Sequence, residues 1–284
     1  MKVSPDATGM IPRSPERKRR DRLGAVVQAS LAFIVLSARP SDAAGPPTFV
    51  GPAMGTTYRV TLASDVPGRT HGEVHREIEA VLARVDRALS TWRSDSDASR
   101  FNRTTAGEWV NVASDLVAVV TIARQVYDDT GGAFDVTATP GTVAGMHLVE
   151  IREQPPALRK ARDGVALDLG GVGPGYAVDA IGERLVALGS KNHLVELGGE
   201  VRAWGEPPSG GRWRVAIRGT HDVWELAPGE AVATSTVRPG RSPVDPRTGR
   251  VVTPRLPSAT VRAATCAEAD ARAVAELVGG PEKP

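Results

Sequence analysis

Apolar residues recur every three to four positions in four stretches of the chain, the spacing that lines one face of a helix. Val74, Ile78, Val81, Leu82, Val85 and Leu89 form the longest stripe. Leu116, Val119, Val120, Ala123 and Val126 form a second, with Ser114 as candidate N-cap and Gly131 beyond its end. Val178, Ile181, Leu185 and Leu188 form a third, stopped by Gly189, and Ala269, Ala273 and Leu277 mark a short last helix. Between them, 57–62, 193–204, 212–218 and 259–264 read as strands, and the apolar run at 165–168 reads as a strand ending in Asp168. Strands and helices mix without strict alternation. That predicts an α+β fold of mixed sheet layers with packed helices, with a three-layer α/β arrangement as the neighbouring alternative. Pro and Gly clusters at 205–211, 238–246 and 279–284 read as turns and a loose end, none long enough to link two domains.

The N-terminal pattern is different. Leu23–Ala38 is apolar and uncharged, a basic segment precedes it, and Ser41-Asp42-Ala43 offers small residues at cleavage positions. This is the three-part pattern of a secretory signal peptide. A membrane span wants about 20 apolar residues, so a permanent anchor fits the run less well. Residues 1–43 therefore read as a leader and 44–284 as one domain, exported to the periplasm or held on the outer side of a membrane through an uncleaved leader. The Arg19-Arg20 pair leaves the general and twin-arginine routes both open.

Composition narrows the function classes. The chain has 284 residues, 41% hydrophobic and 24% charged, enough for a folded core and unlike a disordered tail or a multi-span membrane protein. The formal charge of +2 is carried by the leader: residues 1–22 hold seven Lys or Arg against three Asp or Glu, leaving the rest slightly acidic. Nucleic-acid binding is not indicated. A single cysteine, Cys266, excludes an internal disulfide framework.

The stretch VALDLGGVGPGYAVD (165–179) is the richest in chemistry. A strand, a glycine-rich turn and a helix start would place free backbone N–H groups and a positive dipole end at one spot, the geometry that holds phosphate. A tight turn that simply needs small residues is the alternative. TGGAFDVT (130–137) frees the backbone beyond a helix end and then presents Ala133, Phe134 and Asp135. Gly198-Gly199-Glu200 lies inside a strand pattern and suggests a bulge or close backbone approach. Met54-Gly55 opens the first strand of the domain, Trp92 precedes a polar run, and Asp270 sits among alanines on the last helix. His71 and His75 share a helix face, but the pair does not form the HExxH zinc motif. Ser235 and Cys266 have no adjacent histidine and do not read as activated nucleophiles.

Taken in order, AMGTTY (53–58), LSTWRSDSDASRFN (89–102), TGGAFDVT, LDLGGVGPGYAVD, LVELGGEVRAWG (194–205), GRWRVAIR (211–218), AVATST (231–236), VDPRTG (244–249) and EADARAVAELVGG (268–280) resemble the FAD:protein FMN transferases, the ApbE-like flavin transferases. The resemblance implies a single ApbE-like domain that uses FAD and Mg²⁺. It implies transfer of FMN to a Ser or Thr hydroxyl of an acceptor flavoprotein, with AMP released. By motif, Met54, Trp92, Ala133, Phe134, Asp135, Asp168, Pro174 and Val244 take the flavin-nucleotide positions. Gly171 through its carbonyl, Asp270 through its carboxylate and position 274 take the metal positions, and Asp168 and Asp270 carry the catalytic roles.

The chain departs from the family pattern in four places. Pro174 stands where the family has Lys or Glu, Ser242 where it has a His, and Val274 where it has a metal-binding Thr; Ser235-Thr236 replaces a Ser-Gly. Valine cannot ligate, and proline offers neither charge nor N–H. A second expectation therefore stands beside the first: a non-catalytic relative that keeps FAD binding.

Overall fold

The computed structural model describes residues 45–141, 145–217, 220–237, 242–254 and 256–279. The leader, including Ser41–Ala43, lies outside the described residues, as do Arg218, the centre of the 238–246 cluster and residues 280–284. No described helix is long and apolar enough to cross a membrane.

A six-stranded antiparallel sheet forms the middle of the molecule. Its order is β1 (Thr48–Ala53), β2 (Thr56–Leu62), β6 (His193–Leu197), β7 (Glu200–Trp204), β10 (Ala231–Thr236), β13 (Ser258–Ala263). β3 (Val110–Asn111), β4 (Val149–Arg152) and β5 (Ala157–Lys160) form a small second sheet in the order β3-β5-β4. β8 (Trp213–Ala216) pairs with β9 (Val223–Leu226), and β11 (Val244–Asp245) with β12 (Arg250–Val251). Among the described residues every strand pairing is antiparallel, which decides for α+β over the parallel alternative.

The four helical stripes appear as α1 (His71–Leu89), α3 (Ser114–Asp129), α4 (Gly173–Ala187) and α5 (Cys266–Gly279). α1 opens with a capping box in which Thr70 and Glu73 exchange hydrogen bonds, and its whole predicted stripe is buried. Each such aliphatic side chain contributes about 1.5–3 kcal/mol of transfer free energy. A fifth helix, α2 (Asp97–Arg103), follows Trp92. It is too short for a periodic stripe, and its Ser96 N-cap accepts the Ser99 N–H at 3.0 Å. At α3 the cap residue is Ala113, not Ser114. Asp97 takes the Ala113 N–H at 2.6 Å and so fixes the helix start from outside.

Two predicted strands read differently in three dimensions. The 193–204 run is a hairpin: β6 and β7 pair with Leu197 opposite Glu200, so Gly198-Gly199 is a turn and not a bulge. Gly198 has φ +70°, which glycine adopts freely. The predicted strand at 165–168 is absent, and residues 165–169 form no strand at all. The run's backbone groups are met by side chains and by Val136, so it never joins a ladder.

Alternation along the strands gives the sheet two buried faces. One carries the helical core. The other, with Leu194, Val201, Ala203 and Val232, packs under the β8–β9 hairpin through Trp213, Val215 and Leu226. On the helix side α4 lies close to the sheet: a Cβ at Gly182 would sit 2.0 Å from Trp204 Cη2. The indole fills the space that glycine leaves.

Candidate active site

α4 begins without a side-chain cap, at Val172, with Pro174 inside its first turn. Proline fits there because an N–H in the first turn needs no helical partner. A cradle of free N–H groups is the expectation for this turn, and the structure differs. The Gly173 N–H bonds Leu169 O at 2.8 Å, and the Gly170 N–H bonds the Asp168 carboxylate at 3.0 Å. Pro174 has no N–H. The Gly175 N–H meets Asp270 Oδ2 at 3.2 Å. A helix N-terminus attracts an anion, and α5 supplies one from within the protein.

The favour is returned. Asp179 of α4 accepts the N–H groups of Cys266 and Ala267, at 2.9 and 3.0 Å, where α5 starts. Arg202 of β7 adds an ion pair to the same carboxylate at 2.7 Å. Each helix thus uses a carboxylate of the other to satisfy its first turn. The crossing is close, since a Cβ at Gly175 would lie 2.3 Å from Cys266 O. Burial pushes the Asp270 carboxyl up to about 7, with the Gly175 amide opposing and the Asp179 charge adding to it. Burial raises Asp179 as well, against the two helix amides and Arg202. Burial, first, and then the neighbouring carboxylates raise the Cys266 thiol well above its ordinary value, which makes it an inert core residue.

Close contacts bring several predicted positions to this crossing. A Cβ at Gly171 would lie 2.9 Å from Val274 Cγ2 and 3.4 Å from Phe134 Cε2. One at Gly173 would lie 3.4 Å from Met54 Cε. Met54 is held at φ +47° beside Gly55 at φ +77° in the β1–β2 turn. A non-glycine residue in that region is uncommon and marks a turn set by its surroundings. The Asp168 N–H bonds Val136 O at 2.7 Å, which sets the 130–137 loop alongside the glycine turn. β11, which carries Val244, borders α5.

Other predicted residues stand differently. Ala133 and Phe134 are core residues behind the turn. The Asp135 carboxylate points inward, where it accepts from the Thr137 N–H and hydroxyl and from the Met146 N–H. Trp92 is 88% exposed on a loop braced at Ser90. Ser242 is exposed. Arg247, in the VDPRTG motif, adds a cation that the motif alone does not mark; a Cβ at Gly132 would lie 3.4 Å from its stem, and its head pairs with Asp245. A recess of about 360 Å³ between β1–β2 and α1 includes Met54, Tyr58, Glu79, Leu82 and Asp86, but neither Asp168, Gly171 nor Asp270.

Among the described residues no group of three His, Cys, Asp or Glu side chains could hold a metal ion. The donor chemistry at the crossing still suits a hard cation in part. The buried Asp270 carboxylate with raised proton affinity and the backbone carbonyl of Gly171 are oxygen donors of the right kind. Val274 contributes only methyl groups. Such a site would take its remaining ligands from phosphate oxygens and water, as Mg²⁺ commonly does.

The ApbE family model matches residues 54–144 and 141–284. The FAD:protein FMN transferase of Vibrio cholerae is 32% identical, the match covering 91% of this chain and 88% of that protein. Its counterpart in Haemophilus influenzae is 29% identical over 82% and 80%. The solved structure of Pseudomonas stutzeri flavinyl transferase ApbE in its apo form superposes with a TM-score of 0.75, at 33% identity and 83% and 84% coverage. A mutant of Vibrio cholerae flavin transferase ApbE gives 0.74, at 31% identity and 83% and 87% coverage.

Proposed function

Because the chain belongs to the ApbE family, we propose that it is a flavin transferase that moves FMN from FAD onto a Ser or Thr hydroxyl of an acceptor flavoprotein and releases AMP. The observation that carries this reading is the α4–α5 crossing. It sets the buried Asp270 carboxylate against the glycine turn that Asp168, Phe134 and Met54 surround. In the reaction, the acceptor oxygen bonds to the FMN phosphorus and loses its proton. The bond to the AMP oxygen breaks, and AMP leaves with the electron pair. The nucleophile belongs to the partner, which agrees with a site lacking a Ser–His or Cys–His pair.

The chain's own part is to bind and orient. Met54 and the exposed Trp92 indole offer apolar surfaces to a flavin ring. Asp168 and the glycine turn offer polar groups to the nucleotide. Asp270 and the Gly171 carbonyl would hold Mg²⁺, which when bound neutralises charge on the pyrophosphate oxygens. The leader pattern supports action outside the cytoplasm, with membrane attachment only through an uncleaved leader.

Val274 and Pro174 favour a second reading, a relative that binds FAD without turnover. Val274 places methyl groups against Gly171, and Pro174 brings no charge to the phosphates. One experiment separates the two. The full chain is mixed with FAD, Mg²⁺ and an acceptor flavoprotein domain carrying a modifiable threonine, with EDTA as control. Mass spectrometry follows the acceptor, and free AMP is assayed in the same tubes. An EDTA-sensitive gain of FMN mass with matching AMP is the expected outcome. FAD binding with neither product would transfer the conclusion to the second reading.

A further inference from the structure

The run 165–169 has the composition of a strand and no strand partner. At Leu167 both backbone polar groups are met instead by one side chain. Asn102, at the end of α2, accepts the Leu167 N–H on Oδ1 at 2.7 Å and donates from Nδ2 to the Leu167 C=O at 2.9 Å. The amide side chain therefore does what a neighbouring strand would do, at the residue just before Asp168. The Asn102 main-chain carbonyl is itself fixed, since Lys160 Nζ donates to it and to Val165 O, both at 3.0 Å. Lys160 is buried, and burial lowers its pKa.

The other end of α2 holds the Trp92 loop. Ser96 and Ser99 both donate their hydroxyls to Ser90 O, and Ser96 also donates to Arg93 O at 3.1 Å. Ser96 is fully buried, as are Ala98 and Phe101 on the same short helix. A short helix of seven residues, about two turns, thus connects the loop that carries Trp92 to the run that carries Asp168.

We infer that Asn102 is a positioning residue, whose two-point hydrogen bond to Leu167 sets the Asp168–Gly171 turn in register with the Trp92 loop. The inference rests on the reading of these two segments as walls of a flavin-nucleotide site. Asn102 itself needs no contact with the ligand. Its contribution is to keep Asp168 and the following glycines from sliding along the chain direction, a motion that a lone pair of hydrogen bonds is well placed to stop.

Asn102→Asp tests this within a single protein. An ionised carboxylate still accepts the Leu167 N–H but faces the Leu167 carbonyl with lone pairs. A protonated carboxyl regains a donor and restores both bonds. With the full chain, FAD affinity of the variant should be weaker than wild type by about tenfold at pH 8. That variant-to-wild-type ratio, taken at each pH so that the Asp270 titration cancels, should move towards one as pH falls to about 4.5, where an Asp side chain takes up its proton. Without any ligand, protection of the Leu167 amide relative to wild type at the same pH should be reduced at pH 8, because the loss of the carbonyl bond loosens the clamp, and should recover with the affinity ratio. Equal FAD affinities of variant and wild type at both pH values would overturn the inference. So would a loss of affinity that ignores pH and tracks a fall in Tm, which marks a merely structural role. Wild-type protein that binds no FAD would remove the functional reading instead, and the Leu167 exchange rate would then decide the clamp alone.

Discussion

Asp270 shows how much a single residue changes between a sequence and a fold. In sequence it is one acid among alanines; in the structure it is buried with its carboxylate on the Gly175 amide. Its folded pKa of about 7 exceeds the ordinary carboxylate value of 3.8. The folded state therefore holds the proton more tightly, and the stability this brings is complete below about pH 4 and lost as pH rises through 7. Asp270→Asn keeps an acceptor for the Gly175 N–H and carries no charge. In EDTA its Tm should equal that of wild type near pH 5 and exceed it at pH 8, while any Mg²⁺-dependent transfer disappears. A Tm difference that does not change between pH 5 and 8 would show that Asp270 ionises without strain. Motif resemblance was enough to single out Asp270 and Gly171. Asp135 turning onto Thr137 two residues on is local chemistry, but nothing local could reveal that it also takes the Met146 N–H, or that Asn102 reaches Leu167. Those partners are chosen by chain packing, and Asn102 in particular bridges two elements far apart in sequence.

At the scale of elements, helices were the most legible. Long stripes at α1, α3, α4 and α5 have enough turns for periodicity to stand out. α2 has seven residues and no stripe, and the two-residue strands have no alternation to read. The 165–169 run misleads because β-like composition does not say which groups will satisfy the backbone. The α4–α5 crossing allows a sharp test of element packing. Gly175→Ala places a Cβ 2.3 Å from the Cys266 carbonyl carbon's oxygen, a backbone atom that cannot rotate away. The helices must separate, and both reciprocal caps loosen with them. A loss of about 2–4 kcal/mol in urea unfolding is expected. A loss below about 0.5 kcal/mol would mean that the crossing is slack and does not position Asp270.

For the whole molecule, one sheet buried on both faces sets the electrostatics of the interior. His193 on β6 is fully buried, stacked on Trp204 with ring centroids 4.8 Å apart and bonded to Ser190 Oγ at 3.0 Å. Burial lowers its pKa from 6.5 to about 4. The unfolded chain then binds a proton that the folded one refuses, so stability is complete above pH 6.5 and falls as pH drops towards 4. The loss amounts to about 3 kcal/mol. Asp270 acts with the opposite sign over much of the same range, so the wild-type profile alone understates both. The difference between wild type and His193→Gln isolates the histidine: it should shrink steadily between pH 6.5 and 4.5. A constant difference would place His193 in contact with water.

The order of motifs along the chain determined the family resemblance, the helices and the mixing of strands with helices, because periodic burial and turn chemistry are written locally. Tertiary structure alone decided the antiparallel strand order, the reciprocal carboxylates of α4 and α5, and the burial that makes Asp270 and His193 unusual. Those properties depend on which distant segments exclude water together. Desolvation and close approach are sums over neighbours that no single stretch of sequence contains.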